Sequence, residues 1–226
     1  FQSSFSLNNT YFNKFNLQGA VSEYNHSERT GSGNNHNINF FSDLYEIKTS
    51  LNHNSIIDVN SEGLIGFHFH NYDQGALGQE ESHLVHTRTS SFALFALESF
   101  NFDFFDLDVG GRLESVNLKN TSMEKGFFPG AFSSTIKREV FTNNTVFGGF
   151  DFTERAPNAV ELFANGPHHA LEQFEVGDSN IGVETSYNFS LGYSYNDGLD
   201  TLKIETYYNY IDDFIAADRD GTTTEV

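Results

Sequence analysis

The chain has 226 residues, with 12 Lys+Arg against 31 Asp+Glu and a formal net charge of −19. That balance argues against nucleic acid, whose phosphates need a basic footprint, and against docking on an anionic membrane surface. There is no Cys, hence no disulfide and no thiolate metal site, and no run of about 18 apolar residues that could form a transmembrane helix.

The 25 Phe, 10 Tyr and 19 Gly against only 3 Pro favour a chain made of many strands. Ten are predicted, near 3–8, 14–25, 40–52, 62–71, 89–98, 104–116, 131–141, 145–153, 184–196 and 200–214. The clearest is 104–114, where Phe105, Leu107, Val109 and Leu113 fall on one face and Asp106, Asp108, Arg112 and Glu114 on the other. Along 186–196, Tyr187, Phe189, Leu191, Tyr193 and Tyr195 alternate with small polar residues. Such a period of two fits strands and not helices. Each segment is about ten residues, long enough to cross a bilayer when tilted. The mean hydropathy of −0.42 does not oppose this, because only every second residue of a barrel strand meets lipid.

The connections alternate in length. Short ones fall near 9–13, 53–61, 99–103, 142–144 and 197–199, and long ones near 26–39, 72–88, 117–130 and 154–183. Short turns at one end and long loops at the other are the layout of an outer-membrane barrel. The competing reading is a soluble, Phe-rich β-sandwich acting as a binding module, with strands nearer five residues. Charge on the polar face suits either. The Tyr residues at strand ends fit an aromatic girdle or plain cross-strand packing equally well.

One segment is more specific. Residues 152–188 contain Arg155-Ala156-Pro157, then Glu161-Leu162-Phe163, then Gly166-Pro167-His168, and finally Gly177, Asn180, Ile181 and Glu184. This resembles the barrel of the TonB-dependent receptors. In them a strand rises into an Arg-Ala-Pro turn and a Glu-Leu-aromatic stretch, and a long surface loop leads to Gly-x-x-Asn-Leu-x-x-Glu. Here Ile181 replaces the usual Leu. The resemblance covers roughly residues 60–216, and Asn165 to Gly177 is similar to the zinc-uptake branch. Structural roles are expected for these residues. Pro157 ends the strand and restricts Ala156, Gly166-Pro167 turns the loop, Gly177 adopts positive φ, and Asn180 bonds nearby backbone.

The 9 His include eight on or near the long-loop side, leaving His53 at the other end. The first candidate metal cluster is the loop 72–88, with Asp73, Glu80, Glu81, His83 and His86. The second is His168 and His169, with Glu172 and Glu175. His68 and His70 are expected to face the lumen near the outer rim, and His26 and His36 are weaker candidates. Imidazole and carboxylate are zinc ligands, but each cluster also reads as a solvated polar surface. A surface His could equally serve haem.

The expected protein is thus part of an all-β transmembrane antiparallel barrel, about ten strands of a presumed 22, in one incomplete domain without a plug. The resemblance implies active import of zinc or a similar metal species. It also implies energy from the inner-membrane TonB complex through a plug, and a place in outer-membrane lipid with the long loops extracellular. Haem or siderophore uptake, or a passive porin or adhesin barrel, are the alternatives. No cofactor is required, with zinc or haem as cargo. No enzyme motif is present, and Asp106/Asp108 read as solvated charge on a strand face.

Overall fold

The computed structural model describes residues 1–29, 37–55, 60–78, 82–168, 171 and 173–218. The strands are β1 (Gln2–Ser6), β2 (Phe12–Arg29), β3 (Asn37–Asn54), β4 (Ser61–Gly78), β5 (Thr87–Asn101), β6 (Asp106–Lys119) and β7 (Glu124–Phe127). They continue as β8 (Gly130–Phe141), β9 (Asn144–Arg155), β10 (Asn165–His168), β11 (Gln173–Val176), β12 (Glu184–Asn196) and β13 (Thr201–Asp212), with one short helix, α1 (Ala159–Phe163). Ten strands pair antiparallel in the order β1-β2-β3-β4-β5-β6-β8-β9-β12-β13, with β7 added to β6. Among the described residues β1 and β13 are free edges, so the sheet is open.

The ten expected strands are all present, but several are longer than ten residues. β2, β3 and β4 each have 18. β4 runs on to Gly78 because residues 73–78 complete a ladder with residues 38–43 of β3. Asp73 therefore lies on a strand, opposite Arg88, and not in a loop as expected. Two of the connections expected to be long shrink accordingly, to 30–36 and 79–86, whereas 120–129 and 156–183 remain long.

The registers stack the alternation into two faces. Phe67, Leu94 and Leu113 form one row across β4, β5 and β6, and Phe150, Phe189 and Tyr208 another across β9, β12 and β13. Ile65, Leu94, Leu113, Ile136, Leu191 and Ile204 on this face are exposed. Rings interlock along it: Phe150 and Phe189 lie 5.0 Å apart, and Phe152 and Tyr187 5.5 Å. The opposite face is a charged lattice. His68 Nε2 meets Glu46 Oε1 at 2.7 Å, Arg112 Nη2 reaches His68 Nδ1 at 3.3 Å, and Arg112 also pairs with Glu114 at 2.8 Å. Ser91 donates to the same Glu114.

At the long-loop end this polar face becomes apolar. Val116 and Leu118 of β6 are buried under Ala159, Leu162 and Phe163 of α1, with Val85, Phe127, Ala156 and Ile181 packed around them. The helix was not expected from the sequence. Its capping box explains its start: the Asn158 side chain accepts from Val160 and Glu161 N–H, and the Glu161 carboxylate accepts from Asn158 N–H at 2.7 Å. Because Val85 belongs to the β4–β5 connection and Ile181 to the β9–β12 connection, one small core fixes both loops.

Candidate metal centre at the long-loop end

His83 leaves this core two residues before Val85. Its N–H donates to the Pro167 carbonyl at 3.1 Å, and its carbonyl accepts from Asn165 N–H at 3.4 Å. Two backbone hydrogen bonds thus hold His83 against β10, without making the segment a strand. β10 itself pairs with β11, with Gly166 opposite Glu175 and His168 opposite Gln173. A Cβ on Gly166 would sit 2.5 Å from the Ser82 carbonyl oxygen and 2.9 Å from His83 N, so glycine is what lets the two backbones close together. Gly166 and Pro167 therefore lie in a strand and do not turn the loop as expected.

This register brings three donors together. The His83 and His168 rings stack with centroids 4.1 Å apart and planes at 18°. His168 Nδ1 meets Glu175 Oε1 at 2.7 Å, and His83 Nε2 lies 4.0 Å from Glu175 Oε2. One ligand atom from each falls within 4.8 Å of the others, and among the described residues this trio is the group of metal-type donors that converges. Burial, and then the neighbouring His168, hold the His83 imidazole below its ordinary range. The neutral ring, the form that binds a metal, is thereby favoured. His83 Nδ1 is buried with no hydrogen-bond partner. Two imidazoles and a carboxylate are donors suited to zinc and other divalent transition metals.

The other candidates go elsewhere. His86 Nε2 binds Asp73 Oδ1 at 2.7 Å, and Arg88 holds the second oxygen at 2.8 Å, so Asp73 and His86 form a pair apart from the trio. His68 and His70 lie on the polar face as expected, but in the middle of β4 and not near its rim; His68 is tied to Glu46 and Arg112, and the His70 ring lies 5.5 Å from that of His68. Glu80, Glu81, His36, His169 and Glu172 lie outside the described residues. Glu28 was missed. With His26, Phe40, Ser82, His83, Pro167 and His168 it lines a cleft of about 90 Å³ beside the trio. The available signal was the alternation His26-x-Glu28 at the end of β2.

The description "TonB dependent receptor-like, beta-barrel" matches the chain over residues 1–226. The chain belongs to that family. In fold it is similar to the copper transporter OprC, with a TM-score of 0.72 at 14% identity over 94% of this chain. It spans 39% of that protein's length. An open sheet is what a partial TonB-dependent receptor barrel would present, and the β-sandwich reading is set aside.

The motif of the TonB-dependent receptor barrel can now be read physically. Arg155 forks between Glu161 and Glu184, with Nη1 to Glu161 Oε2 at 2.9 Å and Nη2 to Glu184 Oε2 at 3.2 Å. It thus clamps α1 to the start of β12. Pro157 is fully buried, and Ala156 packs on the α1 core. Gly177 does not take positive φ as expected; a Cβ there would lie 2.7 Å from Phe163 N, so its role is close approach to the helix end. The N–H of Asn180 donates to the Asp178 carboxylate at 2.8 Å.

Proposed function

We propose that this chain forms part of an outer-membrane TonB-dependent transporter that imports a divalent transition metal, zinc above others. His83, His168 and Glu175 form its capture site at the extracellular mouth. The observation that carries this reading is the convergence of three metal-type donors from separate stretches of the long-loop end. The exposed apolar face supports contact with outer-membrane lipid, and the charged face supports a wet lumen. Family membership supports energy coupling through a plug to the inner-membrane TonB complex, and a single barrel domain larger than this chain.

The donor set favours a divalent cation such as zinc over cuprous copper. The name of OprC supports a metal cargo, but the trio offers nitrogen and oxygen only, and the chain has a single Met and no Cys. Cuprous copper prefers such sulfur ligands, whereas imidazole and carboxylate suit Zn(II). Haem is disfavoured, because a cleft of about 90 Å³ is small for a macrocycle and the two rings already stack on each other.

The test is equilibrium titration of the purified full-length receptor in detergent with Zn(II), Cu(II) and haem. One zinc site and no comparable haem site are expected, the zinc site weakened at least tenfold by His83→Ala or His168→Ala, with Cu(II) occupying the same nitrogen and oxygen donors at least as tightly. Zinc binding unchanged in both variants would overturn the assignment.

A further inference from the structure

The trio supplies three donors, whereas a closed zinc site takes four. The cleft beside it is lined also by His26 and Glu28, near the end of β2 on the polar face. The His26 ring is packed between aromatic neighbours. It stacks on Phe40 at 4.8 Å with planes at 10°, and Tyr24 packs at 5.4 Å on its other contact. His26 Nε2 lies 3.3 Å from Glu28 Oε1. A carboxylate on Nε2 fixes the tautomer with the proton there, leaving the lone pair on Nδ1. His26 Nδ1 is buried and has no hydrogen-bond partner. The same is true of Nδ1 of His83, which lines the same cleft.

Two buried ring nitrogens without partners, in a cleft large enough for an ion, need a common explanation. We infer that His26, which lines the cleft but stands outside the 4.8 Å group formed by the trio, closes on the captured cation as a fourth ligand, and that Glu28 is the positioning residue that orients it. This rests on the capture-site reading above. The cation is then held by His83 from the β4–β5 connection, His168 of β10, Glu175 of β11 and His26 of β2. Metal binding ties the long β9–β12 loop to the barrel wall, and capture and closure of that side of the mouth become one event.

Cobalt(II) substituted into the full-length receptor in detergent tests this, because a four-coordinate N3O site gives a far more intense visible absorption than a five- or six-coordinate one. The wild type is expected to show the intense band and zinc-dependent protection of residues 156–183 from limited proteolysis. His26→Ala is expected to lose the band and the protection and to bind zinc 10- to 100-fold more weakly, while the heat-modifiable gel mobility of a folded barrel persists. Glu28→Gln is expected to keep the band and lose several-fold in affinity. If His26→Ala retains band, protection and affinity while His83→Ala loses binding, the fourth ligand is wrong and the capture site stands. If His83→Ala also binds normally, the capture site falls with it.

Discussion

His83 and His168 lie face to face, 4.1 Å between ring centroids, although one sits between β4 and β5 and the other on β10. The stack exists because the His83 backbone hydrogen-bonds to β10, so ring geometry is inherited from a strand-like pairing. A double-mutant cycle reads this dependence. His83→Ala and His168→Ala are each expected to weaken zinc binding at least tenfold, about 1.4 kcal/mol. The double variant is expected to lose less than the sum, because either change already opens the site. Strict additivity in zinc titrations would show that the residues act at separate places.

Gly166 offers a test that touches no ligand. Gly166→Ala places a methyl 2.5 Å from the Ser82 carbonyl and forces β10 away from the 82–86 segment. Zinc affinity is expected to fall roughly tenfold, about 1.4 kcal/mol, with the barrel still folded. Unaltered affinity, measured beside unaltered gel mobility, would mean that the close approach is irrelevant to the site.

Removing Arg155 leaves two carboxylates without their shared partner. Glu184 is largely shielded and Arg155 is partly exposed, so solvent screening reduces the effect. Arg155→Met is expected to cost about 1–2 kcal/mol. The loss is expected to appear as earlier proteolysis of residues 156–183, with strand content by circular dichroism unchanged.

The turn between β12 and β13 carries a pH dependence of known sign. Asp197 is held below its ordinary range, first by the Asp200 N–H at 2.8 Å, then by the Tyr195 hydroxyl at 2.8 Å and the Leu199 N–H at 3.0 Å. A carboxylate with a lowered folded pKa stabilises fully above its unfolded value of about 3.9 and loses that contribution as the pH falls through the folded value. Asp197→Asn is therefore expected to lower the urea midpoint at pH 6, and the gap to the wild type is expected to narrow as the pH falls below about 3.9. A gap that does not narrow at all on acidification would argue against an ionised Asp197 as its source.

The sheet was legible in the sequence because its signal is local. Alternation along 104–114 and 186–196 names the faces without knowledge of any partner. What escaped was set by tertiary context. Residues 74–78 (Gln-Gly-Ala-Leu-Gly) have weak strand propensity and are extended by the β3 ladder. The five residues of α1 are too few to show a helical period, although the Asn158-x-x-Glu161 cap was readable. Of the site, His83, His168 and Glu175 were each singled out, but in two unrelated clusters. Their meeting depends on the pairing of 82–86 with β10, a long-range contact that no spacing encodes. The same limit hid Glu28.

The core under α1 draws Val85 from one loop and Ile181 from the other. Neither loop is therefore an independent appendage of the barrel. An exchange of surface loops between relatives that moved 156–183 without 82–86 would part the stacked rings and empty the core at once. In the natural variation of such receptors these two stretches are expected to travel together, as a single inherited module written in two places along the chain.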